Sequence, residues 1–284
     1  MGSVVSSVTG SVASVTLSHP GKLNAMSRSM WRDLRGVFEA IQQDSTIRCV
    51  LMRGDGGHFC AGGDISEYAA FRFEEASLRA FHEGDVWGGL QAMLDCDVPI
   101  VAQIEGNCMG AGLEIASCCD LRLASTSARF GAPIARLGFP MAPREAALVI
   151  GAVGELTARE MLLAASVLDA HEMKQRGFIN SVLPDADIGS AVQTSVEHIC
   201  GLAPAAARLN KQSFRAIIQQ IRAQPAMDLI ANAYRYADTI EHREGVTAFV
   251  EKRPPQFLRW PFDHDTTKPN NQKITTPSTP SHEK

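Results

Sequence analysis

Two short apolar runs, Cys49–Met52 and Pro99–Ile104, each stop at a glycine-bearing turn and hand over to a helical pattern. This alternation restricts the fold more than any other feature of the chain. The first run ends in RGDGG and the second at Gly106. Earlier in the chain, Val4–Val8 and Ala13–Leu17 alternate apolar with small polar residues around Thr9-Gly10, which predicts a β-hairpin. After His19-Pro20-Gly21, residues Met30, Leu34, Val37, Phe38 and Ile41 recur at helical spacing. A further helix is expected through Phe81, Val86, Leu90 and Met93-Leu94, and Leu121–Ala124 and Ala128–Phe130 read as two more strands. Strands alternating with helices predict an α/β fold with βαβ crossovers. From about Pro143 the pattern turns helical, interrupted by one expected strand, Phe178–Leu183. From Pro261 the sequence is polar and Pro/Thr-rich, too poor in apolar residues to offset its ordering entropy. The expected organisation is an α/β core over 1–200, a helical region over 201–260 and a flexible tail over 261–284.

Charge and composition narrow the function. Hydrophobic residues make up 45% and charged residues 20%, as in ordinary globular proteins. A net charge of −4 without a basic run leaves no electrostatic footprint for nucleic acid. An anionic small molecule held by a few local Lys or Arg residues is still compatible. No run reaches the roughly 20 apolar residues that cross a bilayer, so no membrane partner is expected. The first twenty residues lack the basic and apolar segments of a secretory signal. Seven cysteines, with Cys118 and Cys119 adjacent, show no paired zinc spacing. Buried free thiols in a reducing compartment, the cytoplasm, are the expectation, with no metal site.

Two turns stand out chemically. Gly62-Gly63-Asp64-Ile65-Ser66-Glu67 resembles a helix start, with Asp64 as N-cap and Glu67 placed to complete a capping box. Gly110-Ala111-Gly112 opens a helix in the same way. Early helical N–H groups lack intrahelical partners and lie at the positive end of the dipole. Two of them converging on one point would stabilise an oxyanion. Either turn alone is an ordinary strand-to-helix turn. Glu114, one turn into the second helix, changes the balance. An acid in a first turn suits the helix dipole and needs no other role, but Leu113, Ile115 and Ala116 leave this helix no solvated face. Desolvation would raise the Glu114 pKa into the range useful for acid–base work.

HPGKLNAM (19–26), FCAGGDI (59–65), GNCMGAGLEIASCCDLRLAS (106–125), FGAPIARLGFP (130–140) and EGVTAFVEKRPPQF (244–257) occur in this order. Together they resemble the crotonase superfamily, the enoyl-CoA hydratase/isomerase family. The resemblance implies a spiral α/β core of ββα units, with a helical C-terminal region that forms homotrimers, often paired into homohexamers. It implies an acyl-CoA thioester as substrate, coenzyme A entering as part of that substrate and no separate cofactor. The oxyanion amides would be those of Gly63 and Ala111, flanked by Gly62 and Gly110. Lys22 would meet a CoA phosphate, Ala25 would lie nearby, and the adenine would rest on the backbone of Cys60, Ala61 and Gly62. Asp64, Ile65, Ile134 and Arg136 complete the implied substrate contacts.

One departure marks the sequence. Hydratases of this family place a second glutamate just after the proline of the 130–140 motif, and here that residue is Ile134. Among several outcomes that fit, Glu114 could act alone as acid and base, with water or a substrate group supplying the other proton. The fitting reactions are hydration of an enoyl-CoA, double-bond isomerisation, or decarboxylation or C–C cleavage of a CoA thioester. A CoA-binding protein without catalysis is the reading from another class. Arg136 is placed to meet a polar or carboxylated acyl group, or else to form an outward ion pair. Arg144 or Glu145 on the following helix could reach the pocket, although helix-start charges more often stay on the surface. His82, Glu83 and Asp85 lie in a region that often lines the acyl pocket in this family, but read rather as a solvated helix face. Cys60 has no visible partner base and is not expected to be a nucleophile.

Overall fold

The computed structural model describes residues 1–221 and 233–256. The predicted tail 261–284, and part of the last predicted helix, lie outside these residues. The N-terminal hairpin is β1 (Ser3–Thr9) and β2 (Val12–Ser18), paired antiparallel. Helix α1 (Arg28–Gln43) then returns the chain to β3 (Cys49–Gly54), which lies parallel to β2. Ser27 caps α1 by accepting from the Met30 N–H, an interaction worth about 1 kcal/mol. Met30, Trp31, Leu34, Phe38 and Ile41 form its buried stripe.

Between β3 and β4 (Ile100–Ile104) the chain forms a 3-10 helix at Ile65–Ala70, then α2 (Glu75–Ala80), a π-helical stretch at Phe81–Val86 and α3 (Trp87–Asp95). The single helix expected here is therefore broken, and its π-helical step faces the site described below. A small strand, β5 (Asn107–Met109), precedes α4 (Ala111–Ser117), and β6 (Leu121–Ser125) follows it. The main sheet runs β1-β2-β3-β4-β6-β9, with β9 at Ser181–Leu183 and every pair after the hairpin parallel. β5, β7 (Arg129–Gly131) and β8 (Val167–Asp169) form a second sheet. Sequence patterning missed β5 and β8 because three residues are too few to show a period.

The main sheet is covered on both faces, which is why its strands read as unbroken apolar runs. Val50, Met52, Ile100, Ala102 and Ile104 point into the large core with α1. Their neighbours Cys49 and Val101 point the other way, onto Ile188, Val192 and Val196 of α8 (Ile188–Cys200). The second half adds α5 (Pro143–Val153), α6 (Glu155–Leu163) and α7 (Ala170–Gln175) before α8, then α9 (Pro204–Ile221) and α10 (Ile240–Val250). All seven cysteines are free, and six of them are buried. Among the described residues no helix is long and apolar enough to cross a membrane.

Candidate active site

The two glycine turns meet because the backbone zips them together. Phe59 N–H donates to Glu105 O at 2.8 Å, Cys60 N–H to Asn107 O at 2.8 Å, and Met109 N–H to Cys60 O at 2.9 Å. Cys60 and Cys108 thereby form an isolated parallel bridge, and a second bridge joins Met26 to Gly63. Gly110 N–H donates to Gly131 O at 2.8 Å, which fixes the second turn from behind. Gly110 adopts φ +47, and a Cβ there would stand 3.7 Å from the Gly62 Cα, so the two turns are adjacent. The packing is closer still at Gly112, where a Cβ would lie 2.6 Å from the Cys60 carbonyl oxygen. The bridge to Met26 uses the Gly62 carbonyl and the Asp64 N–H. Among the described residues, the N–H groups of Gly63 and Ala111 are left without an acceptor.

Over these turns lies a cavity of about 290 Å³. Gly63, Ala111 and Glu114 line it, together with Ala61, Gly62, Ile65, Gly110, Ile134 and Arg136. Its far wall is built from Trp31, Tyr68, Arg72, Phe81, His82 and Val86. Four residues expected at the site stand outside the cavity. Cys60 lies beneath the turn, and burial pushes its thiol up to about 12, far from a thiolate nucleophile. Ala25 is buried and its carbonyl faces His19 Nδ1 at 2.7 Å. Lys22 Nζ reaches Asp64 Oδ2 at 2.6 Å and Ser66 Oγ at 2.8 Å, on the outer side of the same turn. Asp64 caps the 3-10 helix by accepting from the Ser66 N–H. The expected capping box is absent: Glu67 turns away and accepts from the Arg28 N–H at 2.9 Å.

Glu114 is half-buried in the cavity wall, and among the described residues its carboxyl makes no hydrogen bond. Burial first, and the nearby Glu145 charge second, push it up to about 8, with Arg72 pulling the other way. Ile134, in the 3-10 turn Ile134–Leu137, presents only an aliphatic side chain to the cavity. Arg136 is exposed at the edge and donates to Ala165 O at 3.2 Å.

Here the structure corrects the sequence reading. Glu145, expected to be a surface charge, is 2% exposed and sits 2.9 Å from His82 Nδ1. His82 and its neighbours are not a solvated face either. His82 lines the cavity, Glu83 accepts from Tyr234 Oη at 2.6 Å, and Asp85 pairs with Arg28 and Arg32. Arg72, which sequence reasoning passed over, is buried in the wall. The available signal was a lone arginine beside the aromatic residues of YAAFRF; the break of the helix at Phe81–Val86, which aims His82 inward, had no signal at all.

Comparison with known proteins identifies the family and the fold. The family model described as Enoyl-CoA hydratase/isomerase matches residues 7–259. The chain belongs to the enoyl-CoA hydratase/isomerase family. A short-chain-enoyl-CoA hydratase from Clostridium acetobutylicum is 29% identical over 246 residues, covering 86% of this chain and 93% of that protein. Among solved structures, an enoyl-CoA hydratase/carnithine racemase from Magnetospirillum magneticum superposes with a TM-score of 0.74. It is 34% identical, with 91% of this chain and 96% of that one covered. A methylmalonyl-CoA decarboxylase shares the fold at TM-score 0.80 and 23% identity, with 90% and 98% covered. The architecture, a mixed α/β core followed by helices, is therefore the crotonase fold, and the members of this family differ in the reaction they are named for.

Proposed function

We propose that the protein hydrates an enoyl-CoA thioester, with the enolate held by the Gly63 and Ala111 amides and Glu114 moving the proton. The observation that carries this is one cavity holding two acceptor-free backbone amides and a desolvated carboxyl group. Water adds through its oxygen to the β-carbon and gives a proton to the Glu114 carboxylate. The electron pair of the double bond moves to the thioester oxygen, where two preorganised N–H groups receive the developing charge. Glu114 then delivers the proton to the α-carbon and the carbonyl re-forms, so one water is added in total. One carboxylate suffices because it accepts and returns the same proton.

Coenzyme A would lie along the outer side of the turn, with Lys22 near a phosphate. Replacing Lys22 by Met should raise KM for the CoA thioester and leave that of the phosphate-free pantetheine thioester unchanged. The decisive test is a mass-spectrometric screen of short-, medium-, branched- and aromatic-acyl enoyl-CoAs in water. A gain of one water with the wild type, lost in Glu114→Gln, supports the reading. No change in any substrate, with thioesters still bound, would instead indicate a CoA-binding protein without catalysis.

A second reading is favoured by Ile134 and by the raised Glu114. Loss of CO2 from a carboxylated acyl-CoA breaks the C–C bond, leaves its electron pair in the same enolate, and needs only one acid to protonate the α-carbon. Release of CO2 in the same screen identifies it.

A further inference from the structure

Arg72 brings a positive charge into the cavity wall without a negative group beside it. The residue is 1% exposed, yet among the described residues its nitrogens meet no carboxylate. Its contacts are long: Nη1 to His82 Nε2 at 3.5 Å and Nη2 to Tyr236 Oη at 3.3 Å. Nε has no hydrogen-bond partner. The guanidinium lies over the rings of Tyr68 and Phe139, 4.3 and 3.9 Å from their centroids.

Those aromatic faces compensate part of the cost. A cation–π contact offsets only part of the cost of burying an ion. Glu145 pairs with Nδ1 of His82, and the other nitrogen of that ring faces Arg72. Glu114 lines the same cavity, yet among the described residues no hydrogen bond or ion pair joins its carboxyl to the Arg72 guanidinium. The guanidinium, whose fork suits a carboxylate held by two N–H groups, is therefore left undersatisfied in the same cavity as Glu114 and the two amides.

We propose that Arg72 receives a carboxylate carried by the acyl group, making the substrate the CoA thioester of a short dicarboxylic acid. The inference rests on the thioester reading above and narrows it. Arg72 lines the same cavity as the Gly63 and Ala111 amides, so the chain between the thioester and the carboxylate spans no more than that cavity. Arg136 also lines the cavity, but it is exposed and already donates to a backbone carbonyl, which leaves the buried Arg72 the better placed of the two.

Matched pairs of enoyl thioesters test this: glutaconyl-CoA against pentenoyl-CoA, and dehydroadipyl-CoA against hexenoyl-CoA. Each pair differs in a terminal carboxylate against a methyl group. In the wild type, kcat/KM should favour the carboxylate member by about 100-fold, since a buried polar group rejects an analogue that leaves it unpaired. Arg72→Gln should erase the preference by lowering only the carboxylate member, and Arg72→Lys should restore part of it. If the wild type hydrates both members equally, the proposal falls and the enoyl-CoA reading stands. An equal loss on both members in Arg72→Gln, with no recovery in Arg72→Lys, would mean that Arg72 only clamps the Tyr236 segment, and would also overturn it. If neither member is hydrated and saturated acyl-CoAs exchange no α-proton in heavy water, both the proposal and the reading beneath it fall. The wild-type comparison stands whether or not a variant folds.

Discussion

Glu145 Oε1 lies 2.9 Å from His82 Nδ1, so the first turn of α5 and the π-helical break before α3 share one buried contact. With Nδ1 protonated, His82 donates to Glu145 and turns Nε2 toward Arg72. Burial holds the imidazole below its ordinary value, against the opposing pull of Glu145. The negative charge placed there is the second reason, after desolvation, that Glu114 is lifted to about 8.

The pH profile follows from that placement. Hydration starts from the Glu114 carboxylate, so kcat/KM should rise as pH climbs through about 8 and then level off. Replacing Glu145 by Gln removes the raising charge and should move the limb to lower pH. A decarboxylase working from protonated Glu114 would show the reverse, a fall above the same pH. Stopped-flow rates across the range separate the two.

Glu114→Gln should lower kcat on the order of 10³-fold while thioester binding, followed by calorimetry, persists. It should also change the stability profile. A carboxyl whose folded pKa is raised above its unfolded value of 4.5 gives stability that is fully present below 4.5 and lost as pH rises through about 8. Wild type should therefore weaken in urea between about pH 5 and about pH 8 more than Glu114→Gln does. Equal slopes for the two would mean that Glu114 is not desolvated.

Gly112→Ala tests the packing beneath the amides. The added Cβ would lie 2.6 Å from the Cys60 carbonyl oxygen, and the obstruction is backbone rather than the end of a flexible side chain. A loss of about 1–3 kcal/mol of stability is expected. Turnover should fall further than stability does, because the Ala111 amide shifts with the helix. Thermal unfolding and kcat, measured on the same preparation, check both parts.

Assembly is the last expectation. Leu156, Leu163, Leu209 and Phe214 expose 82%, 74%, 60% and 61% of their surface, an unusual cost for large apolar side chains on the helices of the second half. A homotrimer or homohexamer should appear by light scattering, and Phe214→Glu should shift it toward smaller species. A wild-type protein that stays monomeric would refute the expectation.

The sequence by itself determined the parts of this protein whose cause is local. The hairpin around Thr9-Gly10, the stripe of α1 and the apolar strands β3 and β4 follow from periodicity and turn chemistry, which are written into neighbouring residues. The same holds for the two amide turns and for the desolvation of Glu114, because Leu113, Ile115 and Ala116 flank it in the chain. Tertiary structure decided what stands opposite them. Glu145 looks like any helix-start charge until α5 packs against α4. His82 looks solvated until the helix breaks at Phe81–Val86, and Arg72 gains its meaning only between Tyr68 and Phe139. Burial and charge pairing depend on residues distant in sequence, and no local pattern records them.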